Sequence, residues 1–250
     1  LSLKAGRNSI CDDLHRLGCR YVALFADSSE LTLNGLTLRE SLYPFAELKK
    51  DWGDRLLNEL YDAGKRTLKL CAHAHYEDCP WREQALYSMD SRNQMLFGYG
   101  VFGELDLPRA ALRDIAASIT ADGLPELCPP ARNTITIPSF ALYWLLALYE
   151  NAQQSYCGEF VRELLPAAER MWRAFAERLG ENGVACFTAK RYWNFYEWVD
   201  GLDGGAFFRD DDIPQTYDAI LTALFALASR SLGSLYKTEG YAEKSAECLR

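Results

Sequence analysis

Phe140-Ala141-Leu142-Tyr143-Trp144-Leu145-Leu146-Ala147-Leu148-Tyr149 leaves a helix almost no polar side. A surface helix shows an apolar stripe and a polar face, because only one side is shielded from water; a helix apolar around most of its circumference must be enclosed by others. Leu142, Trp144, Leu145, Leu146, Leu148 and Tyr149 therefore predict an inner helix. This run and Ala219 to Ala228 are each ten residues long, about half of the roughly 20 that a membrane-spanning helix needs.

Outward from this stretch, apolar residues keep recurring at three- and four-residue intervals. Trp52, Leu56, Leu57, Leu60, Tyr61, Gly64, Thr67 and Leu68 describe one long amphipathic helix. Further helices are expected over 80–99, 107–119, 138–153, 157–180, 214–234 and 239–250. Loops carrying Gly or Pro separate several of them, which suggests helical hairpins packed side by side, with inner and outer helices forming a toroid. Residues 1–46 read differently. Short β-rich runs, Arg20 to Phe25 and Leu31 to Leu38, flank polar turns, and Asn34-Gly35 is a hairpin signal. Pro44 imposes an extended entry into the helical part. The expected organisation is the last strands of a β-sandwich over 1–46 and a helical domain over 47–250, since two or three strands are not stable alone.

The densest acidic constellation is Asp78, Glu83 and Asp90. Pro80 suits the first position of a helix behind an Asp78 or Cys79 cap. On such a helix Glu83 and Asp90, seven apart, return to within about 20° of each other, so both carboxylates project into one space. Repulsion among them, with burial beside Trp81 and Tyr87, would raise one pKa and keep a proton available near neutral pH, while Arg82 could hold another carboxylate ionised. Glycoside hydrolysis needs such a protonated acid, together with a second carboxylate. The plainer reading of the same spacing is an acidic helix start that complements the macrodipole.

The whole string, Asp78-Cys79-Pro80-Trp81-Arg82-Glu83-Gln84-Ala85-Leu86-Tyr87-Ser88-Met89-Asp90, closely resembles the signature of bacterial α-L-rhamnosidases with a six-hairpin α/α-barrel catalytic domain. The hairpin ending in Tyr43 and Pro44, followed by the Trp52 to Leu68 helix, is similar to that family's passage from β-sandwich into barrel. Ile137 to Trp144 and Tyr192 to Trp198 resemble its barrel helices and aromatic segment. The resemblance implies a mainly α fold, a partial α/α toroid preceded by a β-hairpin remnant. It implies inverting hydrolysis of terminal α-L-rhamnosides without cofactor or metal, with Glu83 as general acid and Asp78, Arg82 and Asp90 binding the sugar. The family's general base lies late in the barrel, and no position here matches its motif. About seven of twelve helices are expected, so the chain reads as a fragment, inactive by itself.

Tyr192, Trp193, Asn194, Phe195, Tyr196, Glu197 and Trp198 place five aromatics in seven residues. Trp193 and Trp198 are candidates for stacking on a pyranose, against a competing role in core packing, and Glu197 is a further polar candidate. An alternative function is a non-catalytic carbohydrate-binding module. A third is a zinc hydrolase built on His73 and His75 with Cys71 and Cys79, although His73 and His75 converge only if the chain is extended there. Asp210, Asp211 and Asp212 read as helix caps in preference to calcium ligands.

The 27 basic against 35 acidic side chains, net charge -8, give no basic footprint for nucleic acid. No membrane association is expected; a homo-oligomer is possible, since a partial toroid exposes inner faces. Eight cysteines without dense spacing read as free thiols in a reducing, cytoplasmic setting. The chain begins at Leu1, so a signal peptide cannot be judged.

Overall fold

The computed structural model describes residues 3–12, 16–27, 31–204 and 216–250. Seven helices are found among them: α1 (Arg55–Leu70), α2 (Ser88–Val101), α3 (Asp106–Ala117), α4 (Pro138–Gln154), α5 (Gly158–Ala176), α6 (Ala219–Thr238) and α7 (Ala242–Leu249). Three short strands, β1 (Leu179–Gly180), β2 (Gly183–Ala185) and β3 (Tyr217–Asp218), lie between α5 and α6. The protein is mainly α, a partial α/α barrel.

Local chemistry explains where the helices begin. Asp54 caps α1 by accepting from Leu57 N at 2.9 Å, and Asp218 caps α6 by accepting from Leu221 N at 2.9 Å. Pro138 opens α4 at a position where its missing N–H costs nothing. The apolar stretch of α4 is enclosed as expected: the helix touches α2, α3, α5 and α6, and Leu142, Trp144 and Leu148 have no exposed surface. Trp144 satisfies its buried indole by donating from Nε1 to Leu112 O on α3 at 3.0 Å. α2, α4 and α6 form successive neighbours, with α1, α3, α5 and α7 packed against them. By length and composition α6 would suit a membrane span, yet half of that stretch is buried in the protein against α4, α5 and α7.

Two features differ from the sequence reading. The antiparallel pairing is not at Asn34-Gly35, since residues 31–50 carry no strand; it joins β1 to β2 (Leu179↔Val184) and β2 to β3 (Val184↔Asp218). A two-strand ribbon has nothing here to lie against, whereas β2 packs on α6. The helix expected from residue 80 begins instead at Ser88, because residues 78–85 close a loop of their own.

Entry into the helical body is fixed by Tyr43 N donating to Ala72 O at 2.8 Å, and by buried Phe45 stacking on Phe102 at 4.2 Å between centroids.

Candidate active site

The loop from Asp78 to Ala85 is clasped at its base. Asp78 N donates to Ala85 O at 3.1 Å, and Ala85 N donates to the Asp78 carboxylate at 2.9 Å. Residues 80–83 make the turn at its tip, and Gln84 takes φ of +52°, a left-handed conformation unusual for a residue with a Cβ. Gln84 Nε2 spans the loop by donating to Pro80 O at 2.9 Å. Asp78 therefore closes a loop in place of capping a helix, and Glu83 and Asp90 do not share a helical face: Glu83 sits in the turn, Asp90 in the first turn of α2.

Glu83 is held by Tyr87, whose hydroxyl donates to Oε2 at 2.8 Å; burial, with Glu83 second, pushes the Tyr87 pKa up. Arg82 reaches Glu83 at 3.5 Å with a side chain that is 84% exposed, a water-screened contact too weak to fix either group. Trp81 is 73% exposed and does not cover the carboxylates as expected. The raised carboxyl pKa falls on Asp90. Burial first, then the charges of Asp78, Glu83 and Glu197, push it up to about 6.

That influence of Glu197 reflects how the chain brings the aromatic segment to the acidic loop. Thr136, two residues before α4, pairs in parallel with Tyr192, through Thr136 N to Arg191 O at 2.8 Å and Trp193 N to Thr136 O at 2.8 Å. Ser139 Oγ then donates to Phe195 O at 2.8 Å. Phe140 on the first turn of α4 meets Tyr87 edge-on at 6.2 Å and Phe195 at 6.5 Å, so one aromatic cluster joins both segments. Trp198 is 74% exposed and rests on Phe195 at 4.9 Å and Trp193 at 5.7 Å. Trp193 is half-buried, its Nε1 donating to Asp203 O at 2.8 Å. At the N-terminal end of α4 the structure thus gathers Asp78, Glu83, Asp90, Glu197, Trp193 and Trp198.

Sequence reasoning missed the roles of Tyr87 and Phe140 as the link; the signal was Tyr87 four residues after Glu83. The zinc reading loses its geometry. His73 Nδ1 faces Glu77 Oε2 at 3.2 Å, while His75 Nε2 lies 3.3 Å from Gln84 O. Among the described residues no three His, Cys, Asp or Glu side chains converge as a metal set. Asp210, Asp211 and Asp212 lie outside the described residues.

No family model matches the chain, and no curated protein does. Among solved structures it is similar to the GH78 family rhamnosidase of Bacillus sp. GL1, with TM-score 0.71 and 24% identity over 83% of this chain and 21% of that one. Its fold is that of part of a rhamnosidase. A rhamnosidase from Klebsiella oxytoca, solved with rhamnose bound, is similar with TM-score 0.62 and 20% identity over 84% of this chain and 39% of that one. The α-L-rhamnosidase from Dictyoglumus thermophilum follows, with TM-score 0.61 and 14% identity over 78% and 21%. The chain spans only 21% to 39% of the length of these rhamnosidases.

Proposed function

We propose that this chain carries the acid side of a glycoside hydrolase that releases terminal α-L-rhamnose with inversion. Glu83 is the general acid, Asp78, Arg82 and Asp90 bind and orient the sugar, and Trp193 and Trp198 offer it an aromatic face. The observation that carries the reading is the crowding of carboxylates at Asp90, a mostly buried carboxyl raised to about 6 by burial and by the charges of Asp78, Glu83 and Glu197. Carboxylates crowded at one apolar-walled place, one of them retaining a proton at mildly acidic pH, are what glycosidic cleavage uses. The likeness to rhamnosidases, the Klebsiella oxytoca structure with its bound rhamnose included, adds the sugar.

In this reading Glu83, on the exposed loop tip, approaches the leaving oxygen, and the Tyr87 hydroxyl aims it. Asp90 hydrogen-bonds a sugar hydroxyl, as a donor when protonated and as an acceptor when ionised. Water is activated from the opposite face by a carboxylate beyond these 250 residues. Residues 47–250 are the barrel part, and 1–46 belong with a preceding sandwich domain.

The test uses the full-length protein and an aryl α-L-rhamnoside. Glu83→Gln should cost about 10²- to 10⁴-fold in kcat; no release by the wild type, or release unchanged by the substitution, would overturn the assignment. Rhamnose bound without turnover by the wild type would favour a binding module, for which the exposed Trp198 is the supporting feature.

A further inference from the structure

The loop bearing Asp78 and Glu83 is held by more than its own clasp. Three contacts reach it from residues 16–18, more than sixty positions earlier. Arg16 Nη1 donates to Glu77 Oε2 at 3.0 Å and Nη2 to Glu77 Oε1, a two-pronged pairing on a carboxylate with no exposed surface. The backbone carbonyl of Arg16 accepts from Gln84 Nε2 at 3.2 Å. Gly18 lies so near the loop that a Cβ there would collide with the Pro80 carbonyl. These contacts fall at the two ends and the turn of the loop: Glu77 directly precedes Asp78, Pro80 opens the tip, and Gln84 directly follows Glu83.

The anchoring carboxylate is firmly set. Glu77 N donates to Cys71 O at 2.9 Å, and Glu77 O accepts from Gln94 Nε2 of α2 at 2.6 Å. His73 also faces Glu77 at 3.2 Å, but burial above all lowers its pKa and keeps the ring neutral, leaving the Arg16 guanidinium to balance the buried charge. A planar fork that meets both carboxylate oxygens fixes direction as well as distance.

We propose that residues 16–18 form a strap that sets the position of the acid-bearing loop, with Arg16 as a positioning residue acting through Glu77 and Gln84 and never touching the sugar. The consequence for turnover rests on the glycosidase reading above; the consequence for the loop does not.

Two variants of the full-length protein test it by different routes. Arg16→Ala removes the buried partner of Glu77, and Gly18→Ala adds a single methyl group that must displace the Pro80 backbone while leaving the ion pair intact. Hydrogen exchange at the Asp78 and Ala85 amides should accelerate about tenfold or more in both, with α4 and α5 unchanged. On an aryl α-L-rhamnoside kcat/KM should fall about 10- to 100-fold, because the displaced loop carries the general acid Glu83 together with the sugar contacts Asp78 and Arg82. Arg16→Lys, with charge but no fork, should recover part of the rate. Unchanged exchange over 78–85, or acceleration spread equally through α4 and α5, would overturn the proposal. Should Arg16→Ala fail to fold, Gly18→Ala decides it alone. A wild type inactive on rhamnosides would sink the glycosidase reading, while the exchange measurement would still decide the strap.

Discussion

Asp90 carries the largest consequence at the scale of a single residue. Its folded pKa of about 6 stands above the ordinary 3.8, so the folded state holds a proton that the unfolded chain gives up. Stability is therefore fullest below about pH 4 and is lost as pH rises through 6. About two pKa units correspond to about 3 kcal/mol at most. Asp90→Asn should stabilise the protein by up to about that amount at pH 8, have almost no effect at pH 3.5, and flatten the dependence between; urea titration across that range is the measurement. The residue was legible in the sequence as one of three acids, but for a reason the structure does not share. Regular helical spacing from Glu83 to Asp90 was expected to bring the carboxylates together, whereas a clasped loop does so, and the clasp depends on an Asp78 hydrogen bond to a backbone seven residues on. Arg16 and Glu77 were not legible at all, since nothing in local pattern couples side chains sixty-one apart.

Among the elements, α6 shows how a cap can serve two segments. Asp218 accepts both from Leu221 N at 2.9 Å and from the Tyr196 hydroxyl at 2.6 Å, tying the helix start to the aromatic segment beside the acidic loop. Asp218→Ala should cost about 2–3 kcal/mol, the cap together with an orphaned, mostly buried hydroxyl. Tyr196→Phe should remove part of that loss when combined with it, as a double-mutant cycle in urea would read. Helices such as 138–154 were legible because their apolar residues recur over four turns or more. The start of α2 was not, because Pro80 suits a turn as well as a first helical position. Strands of two or three residues, like β1 to β3, carry no alternation to read. The hairpin expected at Asn34-Gly35 does not form, since residues 31–50 carry neither strand nor turn and pairing depends on a sheet to join.

For the whole molecule, the telling surface is the flank of α1. Leu56, Leu57 and Leu60 are 60%, 50% and 60% exposed, and Phe97 of α2 is 63% exposed beside a groove of about 290 Å³ lined by Tyr61, Gly64, Leu68 and Val101. Apolar side chains exposed to this extent favour association. These 250 residues expressed alone should self-associate, seen as a sedimentation coefficient that rises with concentration, and Leu57→Glu with Leu60→Glu should reduce it without loss of helicity. A monodisperse wild-type monomer would contradict this. The toroidal class could be read from the fully apolar face of α4, but which ends of which helices share a site could not. That follows from the Thr136–Tyr192 pairing, a contact between distant segments with no signature in either.

The enclosure of α4 also bears on synthesis. Roughly sixty-five residues separate its last residue, Gln154, from the first of α6, Ala219, which supplies part of its covering. At about 5–20 residues per second, the ribosome leaves that side of α4 bare for on the order of 3–13 seconds. A helix apolar around most of its circumference thus waits, newly made, with one side uncovered.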